Sequence, residues 1–131
     1  MLVTAAPTFK KQERIVSNKL IETLFEKGNS QSLAAFPVRI VYAIQEHSGN
    51  GAPVQILISV SKKRFKHAVD RNRVKRQIRE SYRKHKTIVT DILPEGKQLL
   101  IAFIWLSDQH LGTEEIEKRI VSLLRKTADR L

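Results

Sequence analysis

The sequence predicts an α+β fold, a small two-layer sandwich in which helices cover one sheet in the order α-β-β-α-β-α. Three observations predict it. Apolar residues recur at helical spacing near both ends of the chain; two segments between them are β-branched and aromatic or alternate with a period of two; and a short, wholly apolar run follows a long charged helix.

The elements follow in order. Ile15, Leu20, Ile21, Leu24 and Phe25 recur as one helical face, and Gly28 stops the pattern, so a first helix is expected over roughly Lys11 to Lys27. Phe36 to Ile44 is rich in β-branched and aromatic residues and reads as a strand; the Ser48-Gly49-Asn50-Gly51-Ala52-Pro53 stretch after it is dense in turn formers. Val54, Ile56, Ile58 and Val60 alternate with Gln55, Leu57 and Ser59, which gives a second strand with one strongly apolar face. A basic helical segment comes next. Pro94-Glu95-Gly96 then reads as a turn into Leu99 to Leu106, a continuous apolar run suited to a strand buried on both faces. Ile116, Ile120, Leu123, Leu124 and Leu131 give a final helix, with Thr113 expected to cap its first free amides.

At 131 residues with 41% apolar content the chain is expected to form one domain, 1–131, of which about the first ten residues form a flexible N-terminus. There is no cysteine, so neither a disulfide framework nor a thiolate metal site is possible. The N-terminus lacks a basic stretch followed by a long apolar one, and no run reaches the roughly 18 apolar residues a membrane span needs. A soluble, cytoplasmic protein is expected.

The formal charge is +11 with a pI near 10.3, which points to a phosphate-rich partner, with an anionic membrane surface as the rival. Its location says more than its total. Lys62 to Lys86 holds twelve Lys and Arg against Asp70 and Glu80, and everything outside that segment is nearly neutral.

Advancing about 100° per residue from Val74 groups Gln77, Ile78, Ser81, Tyr82 and His85 in one arc, with Asn72, Lys75, Arg76, Arg79, Arg83 and Lys86 opposite. One side packs and the other is a charged stripe. Like charges three and four residues apart disfavour a helix, so a single-sign stripe signals a partner more than a solvated face, which would mix signs. Arginine dominates, and its planar fork suits phosphate oxygens. A membrane-surface helix would need its other side exposed and bulky, whereas here that side must cover a sheet.

The block Ser59-Val60-Ser61-Lys62-Lys63, Ala68-Val69, Arg71-Asn72-Arg73-Val74-Lys75-Arg76, Arg79-Glu80-Ser81-Tyr82-Arg83 closely resembles the signature of the bacterial ribonuclease P protein subunit, and Leu24-Phe25-Glu26-Lys27-Gly28 is similar to that family's V-F-x-x-G segment. The resemblance covers most of the chain, its specificity coming from Ser59 to Arg83. It implies a ribosomal protein S5 domain 2-like fold with a left-handed β-α-β crossover, a hand that connected strands rarely adopt. It further implies a protein that binds the ribonuclease P RNA subunit and the 5′ leader of precursor tRNA, assisting Mg²⁺-dependent endonucleolytic removal of the leader. In that family the RNA subunit, with its bound Mg²⁺, performs the hydrolysis, so no catalytic residue is expected in the protein.

Carried over position by position, Asn72, Arg73, Lys75, Arg76, Arg79 and Arg83 would face RNA or organise the helix start, with Lys62, Lys63, Arg64 and Lys66 extending the patch. Arg71 belongs to the same set, but the helical wheel turns it toward the packed side, so that it would either contact phosphate or brace the preceding loop. Phe25 matches an aromatic of the leader cleft, with Phe36 and Arg39 as its neighbours on the first strand. A stacking ring tolerates any base, as a leader of variable sequence requires. Ile21 stands where the family usually has a first cleft phenylalanine, Phe65 where a glycine is common, and Phe103-Ile104-Trp105 where Ala-Arg often ends the third strand. Phe65 is either a base-stacking addition or a plug for its own loop, and aromatics are more often buried than displayed.

His47, His67, His85 and His110 have no metal-ligand spacing. Glu114, Glu115 and Glu117 open the last helix, where they suit its dipole. No phosphate-binding glycine loop, nucleophile elbow or acidic two-metal cluster occurs. The resemblance implies as partners the ribonuclease P RNA subunit and the precursor tRNA leader, with no membrane and no further protein partner required. The alternative is a non-enzymatic structural rRNA-binding protein using the same helix.

Overall fold

The computed structural model describes residues 9, 13–15, 18–26, 30–47, 49 and 51–131. Its elements are α1 (Asn18–Phe25), β1 (Gln31–Ala35), β2 (Val38–Glu46), β3 (Val54–Ser59), α2 (Ala68–His85), the single turn α3 (Thr87–Thr90), β4 (Lys97–Trp105) and α4 (Thr113–Ala128). They form one four-stranded sheet in the order β1-β2-β4-β3. β1 and β2 pair as an antiparallel hairpin and β2 pairs antiparallel with β4, whereas β3 runs parallel to β4. α2 lies in the connection between β3 and β4, so the β-α-β crossover is present.

The central place of β4 explains its composition. It has a strand on each side and helices over both faces, and every residue from Gln98 to Phe103 is buried. Alternate residues separate two apolar layers. Val38, Ile40 and Tyr42 of β2, Val54 and Ile56 of β3, and Leu99, Ile101, Phe103 and Trp105 of β4 face α2 and α4, which contribute Val74, Ile78, Tyr82, Ile116, Ile120, Leu123 and Leu124. Val41, Ala43, Leu100 and Ala102 face the other way and are covered by Ile15 and Leu24, with Leu20 and Ile21 at the margin.

Several expectations are corrected in detail. The strand expected over Phe36 to Ile44 begins at Val38, because Phe36 and the cis-bonded Pro37 make the turn of a hairpin whose first strand, β1, was not expected. β1 has the composition Gln-Ser-Leu-Ala-Ala and little β propensity; pairing with β2 makes it a strand. The first helix, expected from Lys11, begins at Asn18: Arg14 forms a parallel bridge with Ile56, and the Ile15 amide donates to the Ile56 carbonyl at 2.9 Å. The chain before α1 therefore runs along the outer edge of β3, supplying a partner to backbone groups that a helix would have left open. Lys11, Lys27 and Gly28 lie outside the described residues. Of the first ten residues only Phe9 is described, and its ring stands edge-on to Tyr82 with centroids 6.0 Å apart. Thr113 does not cap α4. Gly112 is the capping residue, and the Thr113 hydroxyl accepts a bond from Gln77 Nε2 at 3.2 Å.

Among the described residues no helix is long and apolar enough to cross a membrane.

Candidate RNA-binding site

The basic helix α2 forms because one of its faces is needed by the core. Val74, Ile78, Ser81 and Tyr82 are buried, in the arc the periodicity predicts. The opposite side then has no choice but to face outward. Asn72, Arg73 and Arg76 are exposed, and Lys75, Arg79 and Arg83 are half-buried along its flanks.

The start of the helix is held by side chains, not by a side-chain cap. Arg71 Nη1 donates to the carbonyls of Phe65 and Lys66, each at 2.9 Å, so this arginine braces the preceding loop. Phe65 is a plug: it is 8% exposed, belongs to the core facing α2 and stacks on His110. His110 Nε2 in turn lies 3.0 Å from Asp70 Oδ1 in the first turn of α2. With the backbone of the loop held at Phe65, Lys62, Lys63, Arg64 and Lys66 around it are all exposed. Burial of one aromatic thus displays four cations.

The stripe is not uniform. Lys86, grouped with it by the helical wheel, pairs with Glu13 at 2.8 Å in a largely buried contact, and so ties α2 to the segment before α1. Arg83 forks onto Glu80 through Nε and Nη2. The hydrogen bond from Arg83 holds the Glu80 carboxyl below the usual range, and the same bond raises the Arg83 guanidinium. Arg79 has the reverse setting. Burial lowers its pKa, and the neighbouring charges of Arg14 and Arg76 lower it further. Cations crowded without acids are an unfavourable arrangement that an anion relieves. Burial raises the Tyr82 hydroxyl, which stays neutral in the core.

The other predicted residues divide between the two faces of the sheet. Arg39 lies on the α1 face of β2, where Nε donates to Ser32 Oγ on β1 at 2.8 Å and Ile104 is its cross-strand neighbour. α1 covers Val41, Ala43, Leu100 and Ala102 but leaves Ser32, Ala34 and Arg39 exposed and Leu57 and Ile104 half-exposed. An open strip of sheet therefore remains at that end. Phe25 closes α1 with 48% of its surface exposed, next to Leu24, which is sunk in the same face. Phe36 does not join them: it is 68% exposed at the hairpin turn, and its carbonyl accepts from Arg119 Nε of α4, on the opposite layer. Arg14 was not among the predicted residues, yet the fold places it with Lys75 and Arg79 around one pocket. No local signal marks it, since it lies outside the basic block and meets α2 only through the edge of β3.

An α+β domain with a cationic helical stripe, an outward basic loop and an open strip of sheet defines a protein built to bind nucleic acid. Residues 9–128 match the family model for ribonuclease P. The ribonuclease P protein component of Porphyromonas gingivalis is 38% identical over 130 residues, covering 96% of this chain and 92% of the relative. That of a Geobacillus species is 32% identical over 89% and 91% of the two chains. Among solved structures, a Staphylococcus aureus RNase P protein mutant superimposes with a TM-score of 0.65 at 26% identity, covering 91% of this chain and 90% of that one. The RNase P protein of Thermotoga maritima gives 0.63 at 19% identity, covering 86% and 94%. The chain belongs to the ribonuclease P protein family, and is thereby an RNA-binding protein component of a tRNA-processing ribonucleoprotein enzyme.

Proposed function

We propose that the outward side of α2, through Asn72, Arg73, Lys75, Arg76 and Arg79, together with Lys62, Lys63, Arg64 and Lys66, binds the ribonuclease P RNA subunit. The open strip of sheet beside α1 receives the 5′ leader of precursor tRNA, with Phe25 offering a ring to a base and Arg39 a guanidinium to the backbone. Phe36 and Arg83 are peripheral in this reading, the first because it sits at the α4 side of the hairpin, the second because Glu80 already occupies its fork. Arg71 acts by positioning the loop. The observation that carries the reading is the clustering of Arg73, Lys75, Arg76 and Arg79 with the four loop cations, none of them with an acid partner among the described residues, beside a sheet face that α1 leaves uncovered.

Hydrolysis belongs to the RNA subunit with its Mg²⁺. Mg²⁺ is held mainly by the RNA subunit in this reading, since this ion keeps several waters and favours phosphate oxygens. The site of action is the cytoplasm.

Reconstitution with a bacterial ribonuclease P RNA and precursor tRNA at low Mg²⁺ tests the proposal. A gain in cleavage and in affinity for leader-bearing substrate over RNA alone is expected. No gain, with co-purification on ribosomal subunits at high salt, would favour a structural rRNA-binding role.

A further inference from the structure

The segment before α1 brings one cation to α2 from outside the basic block. Arg14 is held in place by its backbone bridge to Ile56 and by its guanidinium, 5.6 Å from the centre of the Phe9 ring. On either side of it, Ile15 is buried under the α1 layer and Glu13 is paired with Lys86. The backbone position of this arginine is thus set by contacts that do not use its charge, while its guanidinium lies over the Phe9 ring.

Arg14, Lys75 and Arg79 line a pocket of about 190 Å³ whose walls are Phe9 and the edge of β3 at Ile56 and Ile58. No acid lines it, and among the described residues none of the three cations has a carboxylate within ion-pair distance. The nearest acids in sequence, Glu13 and Glu80, are engaged by Lys86 and Arg83. Burial of Arg79 and its repulsion by Arg14 point the same way, since both disfavour a charge that nevertheless persists. Three cations around an apolar-walled hollow are complementary to a compact anion. Pockets for whole drug-sized ligands begin at about 300 Å³, so this one suits a phosphate with part of its sugar, not an entire nucleoside.

We infer that Arg14, Lys75 and Arg79 form a discrete subsite for a single backbone phosphate of RNA, with Arg14 as an RNA-binding residue lying outside the basic helix and loop. The inference rests on the proposed RNA-binding role of α2 and adds to it a defined pocket and a residue from another part of the chain. The phosphate comes from the RNA subunit or from precursor tRNA, and the two sources share one chemistry.

The test uses the full chain with Arg14→Gln, which removes the charge and keeps much of the stem, and Arg14→Lys, which keeps the charge and removes the fork. Binding is measured against salt in two arms, to ribonuclease P RNA alone and to precursor tRNA by the assembled holoenzyme. Arg14→Gln is expected to lose about tenfold in affinity in one arm, as for a lost hydrogen bond to a charged group. It should also flatten the salt dependence in that arm by about one unit of slope, with Arg14→Lys restoring the slope. The arm that responds identifies which RNA supplies the phosphate. Should Arg14→Gln change neither affinity nor slope in either arm while Arg79→Ala changes both, the subsite is wrong and the role of α2 survives. If Arg79→Ala and Arg76→Ala are also silent, the role of α2 itself fails. Thermal unfolding of each variant separates these losses from misfolding: a loss in Arg14→Gln that follows lowered stability and that Arg14→Lys does not rescue also overturns the subsite.

Discussion

The ring of Phe65 lies flat against that of His110, with centroids 4.5 Å apart and planes 18° from parallel. The pair joins the basic loop to the connection between β4 and α4, and the bond from His110 to Asp70 carries the link on to the start of α2. Phe65→Ala would leave a cavity beneath the loop and remove the stack. A stability loss of about 3 kcal/mol is expected by denaturant unfolding, near the lower end for buried phenylalanines because the site is at the margin of the core. A loss below about 0.5 kcal/mol would mean that the ring does not pack, since substitutions that touch nothing fall in that range.

Arg76 and Arg79 should behave differently from Arg71. Alanine at either of the first two is expected to weaken binding to the RNA subunit and lower the salt slope by about one, with little change in unfolding. Alanine at Arg71 instead removes the donor shared by the Phe65 and Lys66 carbonyls, so about 1–2 kcal/mol of stability should go with it. Filter binding over a range of salt, paired with urea unfolding, distinguishes a charge that contacts phosphate from one that holds a loop.

Phe25 is half-exposed at the end of α1, which leaves its face available for stacking. Phe25→Ala should reduce affinity for leader-bearing precursor by about 1–3 kcal/mol while leaving mature tRNA unaffected. Equal losses for both substrates would remove Phe25 from the leader cleft.

Glu80 gives a pH dependence of defined sign. The hydrogen bond from Arg83 lowers its folded-state pKa, so the unfolded chain binds the proton more readily. The stabilisation is therefore present above the unfolded pKa and is lost as pH falls through the folded one, below about 4.5. Glu80→Gln should remove this component of the acid limb in urea unfolding and leave the difference from wild type constant above pH 6. The pair is half-exposed and screened by solvent, so the component is small.

Much of this protein is legible in local pattern. The period-two run of β3, the unbroken apolar run of β4 and the helical spacing on α2 and α4 each follow from which side of an element the core must take. The split of α2 into Val74, Ile78 and Tyr82 on one side and Arg76 and Arg79 on the other needs only the helical repeat. The motif block from Ser59 to Arg83 supplied the family, because its residue types and spacing are contiguous in the chain.

Other features depend on residues distant in sequence. β1 is a strand because β2 offers it a ladder, and its own residues carry almost no preference. Thr113 has the chemistry of a cap, but a bond from Gln77 on α2 engages its hydroxyl. Phe65 could face a base or a core until His110 arrives from beyond β4 to cover it. Lys86 belongs to the charged side by the wheel and to Glu13 by the fold. Arg14 reaches Lys75 and Arg79 only because the segment before α1 fills the open edge of β3. The sequence by itself thus determined the layers, the family and the sign of the surface, since these are set by periodicity and composition along each element. Which cations are neutralised, which are left to meet RNA and which loop residue is buried was decided by tertiary structure, since ion pairing and burial are properties of side chains brought together across the fold.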